Sequence, residues 1–298
     1  MKMLVLGDSV CWGQGLLPQQ KFSTLVYQGL FGQAPVTGEM RVLAHSGAII
    51  GASAHANKPA VDGEVPDSYR TIRQQCADFT GATDTIKLVL VNGGINDVDA
   101  FTIVNPLTDE DDLRDMIQEY CYRDMLTLLD DVTRKFSHPQ TTIVVPSYFP
   151  ILSAQSDPLM LPSYLGIMHN INLDLLTTLA GDIVFAKIFR QCKQFYEESS
   201  RCLAKAVADT NARLGGTRLR YAQVPFTDAN AALAPQAWLW GITEFLLPED
   251  PVQDARHNAC NRDEPDALRR QICYRASAGH PNLLGAQEYA KAIRAVLA

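Results

Sequence analysis

Short apolar runs alternate with longer helical patterns along most of this chain, and that alternation constrains its fold more than any other feature. The runs are Met3–Leu6, Arg41–Ala44, Ile86–Val91, Thr142–Val145 and Arg218–Val224. Runs this short and this apolar suit strands covered on both faces, and the intervening helices supply the crossovers of a parallel sheet. The longest helical pattern covers about residues 109 to 136. Thr108 is the expected N-cap, and Asp109, Glu110 and Asp111 occupy a first turn where acids favour the helix dipole. Leu113, Met116, Ile117, Tyr120, Leu128, Leu129 and Val132 then recur at three- and four-residue steps. Further helices are expected over about 188 to 214, ending at Gly215-Gly216, and over about 283 to 297. Residues 150 to 187 break the alternation. This stretch is rich in Leu, Ile and Met and punctuated by Pro158 and Pro162. It reads as an inserted helical pair, either packed on the core or forming a lid or wall of an apolar cleft. The segment from Trp238 to Leu247 invites the same two readings.

With 298 residues, 47% of them hydrophobic and 20% charged, the chain is globular and long enough for one large α/β domain. We read it as a single domain over residues 1–298. The formal net charge of −7 offers no basic field for nucleic acid. No apolar run approaches the ~18 residues of a membrane span. The first residues lack the ~7–15-residue apolar core of a signal peptide. The expectation is therefore a cytoplasmic protein, or a secreted one if a leader has been removed.

Small and polar residues follow three consecutive strands. Gly7-Asp8-Ser9 follows the first, His45-Ser46-Gly47-Ala48 the second and Asn92-Gly93-Gly94-Ile95-Asn96-Asp97 the third. Ligands of open parallel sheets bind at such carboxyl ends, beside a switch in strand order. A fourth element, Gly279-His280-Pro281-Asn282, precedes the last helix. Together they hold the parts of an acyl-transfer site. A serine hydroxyl needs a base to take its proton, and histidine is the usual one near neutral pH. The tetrahedral intermediate needs N–H donors aimed at its oxyanion. Taken singly, Ser9 reads as a helix N-cap and His280 as a loop residue; it is their occurrence together, in this order, that points to chemistry.

These blocks resemble the four sequence blocks of the SGNH (GDSL-type) hydrolase family, in order and in strand context, over nearly the whole chain. The resemblance implies a three-layer α/β/α sandwich with a flavodoxin-like parallel sheet, and ester hydrolysis through an acyl-enzyme with no metal or other cofactor. It implies Ser9 as nucleophile and His280 as base. It also implies an oxyanion hole made by the Ser9 N–H, the Gly47 N–H and the Asn96 side chain. Asp8 and Asp97 fall at motif positions that shape turns. One position departs from the pattern: three residues before the histidine, where the family usually has an aspartate, this chain has Ser277. Either a backbone carbonyl or Ser277 orients the imidazole, giving a Ser–His dyad, or an acid comes from elsewhere, with Asp254, Asp263, Glu264 and Asp266 nearest in sequence. The dyad is the favoured expectation.

Seven cysteines are too few for a disulfide scaffold. Cys11, Cys76, Cys121, Cys192 and Cys202 read as small buried hydrophobes. Cys192 and Cys202 share one helical pattern, roughly 15 Å apart and out of bridging range. Cys260 and Cys273 are read as a disulfide pair bracing the loop that delivers His280. The window His257, Cys260, Cys273, His280 does not match common zinc spacings, and no metal is expected. Nor does Gly13-Gln14-Gly15 fit a dinucleotide fingerprint, lacking a third glycine three residues on. The substrate expected is a small-molecule or lipid ester with a medium-chain acyl group. A carbohydrate deacetylase, an acyltransferase and a catalytically silent binder of an acyl or glycan ligand are the alternatives. Nothing in the sequence sets the oligomeric state.

Overall fold

The computed structural model describes residues 1–53, 71–169, 174–243 and 247–298, without the side chains of 167–169, 174–180, 263, 268 and 269. Five strands form one sheet: β1 (Met3–Leu6), β2 (Met40–Val42), β3 (Leu88–Val91), β4 (Thr142–Pro146) and β5 (Leu219–Ala222), in the order β2-β1-β3-β4-β5. Every pairing is parallel, with Met3 beside both Met40 and Leu88, Leu88 beside Thr142, and Ile143 beside Leu219. All four side chains of β1 are fully buried, as are Val89, Leu90 and Val91 of β3. Each such side chain contributes about 1.5–3 kcal/mol relative to exposure. Coverage on both faces is the reason these strands read as unbroken apolar runs. The edge strands β2 and β5 are only partly buried, and they are where the expected and observed limits differ most.

The order reverses beside β1. The chain runs outward from β1 to β2, then returns across it to β3. That leaves the loops after β1, β2 and β3 together at one end of the sheet, where a crevice is expected. On one side, the helices Phe22–Phe31 and Leu283–Ala295 pack together. Their contact includes stacked Phe22 and Tyr289 rings, 5.1 Å between centroids. Tyr289 also donates its hydroxyl to the Ser147 carbonyl just past β4, at 2.8 Å. The helices Ile72–Asp78, Met125–Lys135 and Asp174–Leu214 make up the other layer. The result is the three-layer α/β/α fold with a flavodoxin-like strand order. No helix among the described residues is long and apolar enough to cross a membrane.

Two helix expectations need correction. The helix expected from 109 starts at Glu110, capped by Asp109 rather than Thr108. The Asp109 carboxylate accepts from the Asp111 and Asp112 N–H groups at 2.8 and 3.3 Å. The Thr108 hydroxyl donates instead to the Thr102 carbonyl at 2.9 Å. Within this helix, residues Glu119–Asp124 form a π-helical turn. The turn sets Cys121 against Gly94, where an added Cβ would lie 2.8 Å from its Sγ. The second correction concerns the insert. Leu161–His169 is one helix, but the next runs unbroken from Asp174 to Leu214, so the expected start at 188 lies inside it. Residues 170–173 lie outside the described residues. Gly181 sits within the long helix, whose end comes at Gly215, with φ 63°. Cys192 and Cys202 are buried in it as free thiols, as are Cys11, Cys76 and Cys121 elsewhere.

Candidate active site

The chain leaves β1 through Gly7, whose φ of 142° excludes a side chain; an added Cβ would lie 2.4 Å from Asn92 Oδ1. Both backbone groups of Gly7 are held by one amide: Gln75 accepts from the Gly7 N–H at 2.8 Å and donates to its carbonyl at 2.9 Å. Asp8 then caps a single helical turn, Ser9–Trp12, by accepting from the Val10 N–H at 2.9 Å. Ser9 is therefore the first residue of a helix at the carboxyl end of the sheet. The Asp8 carboxylate is fully buried and also accepts from the Tyr148 hydroxyl at 2.7 Å. Burial pushes its pKa up to about 6, against the downward pull of Tyr148 and the backbone.

Two further loops close on this turn. His45, after β2, donates its N–H to the Gly7 carbonyl at 3.0 Å. Ser46 donates to Gln14 Oε1, which ties the loop to the residues just past Ser9. The Asn96 side chain donates to the Ala48 carbonyl at 2.9 Å. Both Asp97 oxygens accept from the Ile50 N–H at 3.1 Å. The second and third motif loops are thus stitched together by the two polar residues of the third. Gly47 adopts φ 70° within that stitched loop, one residue before the carbonyl that Asn96 holds.

His280 arrives from the other end of the sequence. It ends a four-residue turn closed by its own N–H donating to the Ser277 carbonyl at 3.0 Å. Gly279 takes the positive φ, 76°, that the third position of a type II turn requires. The Trp238–Trp240 backbone grips the loop beyond. Gly279 N–H donates to Trp240 O and Trp240 N–H to His280 O, both at 2.8 Å. Asn282 caps the last helix and donates its amide to the Ala237 carbonyl at 2.8 Å. So fixed, His280 Nε2 lies 2.7 Å from Ser9 Oγ, within reach of the hydroxyl proton. Among the described residues, no group meets hydrogen-bond geometry at His280 Nδ1. Desolvation lowers the His280 pKa to about 4. The carbonyls of Ala278, Ser277 and Ala276 oppose this, and the Arg256 charge adds to it.

Ser9, Asn96 and His280 line one pocket of about 470 Å³, open mouth included, with Val10, Ile95, Ala100, Phe149, Ile151 and Tyr164 making its apolar wall. Ile151 and Tyr164 come from the segment expected as insert or cleft wall. Trp238 and Trp240 are not among the residues lining this pocket; their backbone carries the histidine loop. Residues 244–246 of the 238–247 segment lie outside the described residues.

The expectation for Ser277 is also corrected. Its hydroxyl donates to Asp250 rather than accepting from His280. A charged carboxylate is the stronger acceptor for its single proton. Among the described side chains, none of the acids considered from sequence bonds His280 Nδ1. Asp254 is exposed, Glu264 accepts from the Asp266 N–H at 3.0 Å, and the Asp263 side chain lies outside the described residues. Cys260 and Cys273 are joined by a disulfide with Cα atoms 5.9 Å apart.

No family model matches the sequence, and no curated protein matches it. Solved structures do. A phospholipase A1 from Streptomyces albidoflavus NA297 aligns over 99% of this chain and 98% of its own, with TM-score 0.53 and 11% identity. The lipase Lip_vut3 from a goat rumen metagenome covers 99% and 97%, with TM-score 0.49 and 12% identity. TesA covers 100% and 98%, with TM-score 0.41 and 11% identity. Of these three, the phospholipase A1 has a TM-score above 0.5, and its likeness is one of fold: the three-layer α/β/α architecture that the four sequence blocks implied.

Proposed function

We propose that this chain is a serine hydrolase of carboxylic esters. The reading rests on one observation: a serine hydroxyl and a histidine nitrogen 2.7 Å apart in the wall of an open, largely apolar pocket. Ser9 Oγ attacks the ester carbonyl as His280 Nε2 takes its proton. The Ser9 and Gly47 N–H groups and the Asn96 amide receive the oxyanion. The protonated His280 then gives its proton to the leaving alcohol. Water, activated by the same nitrogen, releases the acid from the acyl-enzyme. The depressed His280 pKa fits a ring that is neutral, and ready to accept a proton, at neutral pH.

The wall of Val10, Ile95, Phe149 and Ile151 favours an acyl chain over acetate. Each methylene buried there contributes up to about 0.8 kcal/mol, or about fourfold in kcat/KM. The Cys260–Cys273 disulfide favours an oxidising compartment over the cytosol. Labelling with a fluorophosphonate and a chain-length series of p-nitrophenyl esters test the reading together. Ser9 should carry the label, Ser9→Ala should lower kcat by about 10³ or more, and kcat/KM should rise from acetate to medium chains. Ser9→Ala retaining a tenth of the activity would refute the nucleophile. An optimum at acetate would point to a deacetylase instead, and an unlabelled Ser9 to a silent binder.

A further inference from the structure

A buried ion pair packs behind the turn that delivers His280. Arg256 donates to both oxygens of Asp250, at 3.0 and 2.5 Å, and neither side chain has any solvent exposure. Arg256 Nε also donates to the Tyr274 carbonyl at 3.0 Å, and Asp250 Oδ1 accepts from the Val252 N–H at 3.1 Å. A third polar side chain in the cluster is Ser277, fully buried, whose hydroxyl donates to Asp250 Oδ2.

Such a pair is poor evidence for stability. Removing two charges from water costs several kcal/mol each, and apolar replacements of similar volume often fold as well or better. What it does supply is a fixed acceptor at a fixed place. Ser277 and His280 are the two ends of one four-residue turn, joined by the His280 N–H to Ser277 carbonyl bond of 3.0 Å. The far end is held by Trp240. The near end is held by the Ser277 hydroxyl on Asp250.

We propose that Asp250, Arg256 and Ser277 form the positioning device for His280, given the Ser9–His280 chemistry proposed above. None of the three touches substrate; they act through the turn. The arrangement moves a carboxylate one residue back from where contact with the imidazole would put it, and its charge is met by Arg256. The histidine is then oriented without an unpaired anion beside it. The disulfide fits the same scheme. Cys260 lies one helical turn after Arg256, and Cys273 immediately precedes Tyr274, whose carbonyl Arg256 binds. The cross-link therefore joins the segment that carries the guanidinium to the segment that receives it.

Ser277→Ala in the full chain is the test. Three quantities are read: kcat per active site, after titrating sites with a fluorophosphonate; KM for the preferred p-nitrophenyl ester; and Tm. A lost anchor misplaces the ring, and misplacement approaching 1 Å costs up to about 10² in rate. The expected result is kcat per titrated site down about 10- to 100-fold, KM within about twofold, and most sites still titratable. A role in stability alone would lower Tm and the titratable fraction and leave kcat per site unchanged, and that outcome overturns the proposal. A second variant, D250N/R256M, replaces the fixed carboxylate and its guanidinium partner with neutral side chains. It should lower kcat per titrated site by about 10-fold or more with KM within about twofold, and kcat per site equal to that of wild type in this variant would also count against the proposal. If wild-type Ser9 does not label, the Ser9–His280 reading and this one fail together. If it labels and S277A is unimpaired per site, this one fails alone.

Discussion

Asp8→Asn should expose a pH dependence of stability that the wild-type protein hides. His280 titrates at about 4 in the fold against 6.5 for the free side chain. Its contribution is therefore intact above 6.5 and lost as pH falls through about 4, because the unfolded chain takes up a proton that the fold refuses. Asp8 is shifted the other way, from 3.8 to about 6. Its contribution is intact below 3.8 and lost as pH rises through about 6, because the fold keeps a proton that the unfolded chain has released. Between these limits, each state holds one proton on this pair: the unfolded chain on the histidine, the fold on the aspartate. The slopes cancel. In Asp8→Asn only the histidine slope remains, up to about 1.4 kcal/mol per pH unit. From pH 6 to 4.5 the variant should lose about 1.5 kcal/mol relative to wild type, because the Asp8 titration that offsets the histidine slope is gone and is itself only half complete at pH 6. An asparagine remains a good N-cap for the Ser9 turn, so the fold should persist. Urea unfolding of both proteins at several pH values in this range measures the difference directly, and other carboxylates cancel in the comparison. Parallel stability curves would refute the raised Asp8 titration, and a variant whose stability did not fall from pH 6 to 4.5 would refute the lowered one at His280.

The acid limb of kcat/KM should lie well below 6.5. At pH 5.5 an ordinary histidine would be about one-tenth neutral, whereas His280 should remain nearly all neutral, so a tenfold loss of activity by pH 5.5 would contradict the buried neutral ring. Ser277→Asp, which places an acid three residues before His280, should impair the enzyme rather than improve it. The new carboxylate would meet Asp250 within hydrogen-bond range of its Oδ2, and one Arg256 cannot neutralise two buried anions. Higher kcat with unchanged Tm in this variant would show that Ser277 is a plain substitution for the usual acid.

The centre of the sheet is legible from sequence, and its periphery less so, for a physical reason. Strands β1 and β3 are covered on both faces, so every position must be apolar and the run declares itself. The edge strand β2 needs no such run, and its limits drift. The long helix resists reading for the opposite reason. Gly181, Asp182 and Lys187 look like interruptions, yet a single glycine costs a helix only about 1 kcal/mol relative to alanine, and the charges sit where packing does not exclude them. Helix caps divide in the same way. Asp109 and Thr108 are both competent caps, and which one serves depends on where the Thr102 carbonyl lies, a tertiary fact.

The site follows the same division. Ser9, Gly47, Asn96 and His280 sit where the backbone itself has special demands, at strand ends, in tight turns and at positive φ, and such demands leave a local signature in sequence. Asp250 and Arg256 leave none. Pro248-Glu249-Asp250-Pro251 has the composition of a solvated turn, and one arginine on a largely polar helix looks exposed until the fold buries it. Tyr148 and Gln75 are equally silent, because their polar contacts lie with Asp8 and Gly7, far away in the chain. The clue that was available lay in the pair Gly15 and Ser277. Gly13-Gln14-Gly15 fails as a nucleotide motif, and packing explains the second glycine instead. At φ 82°, a Cβ on Gly15 would lie 2.6 Å from the Ser277 Cβ and 2.8 Å from Trp240 Nε1. The backbone after the nucleophile therefore presses directly on the residue that anchors the histidine turn. The absence of a side chain at 15 makes room for the Cβ of residue 277, so the turn that delivers the histidine is seated directly on the backbone just past the nucleophile.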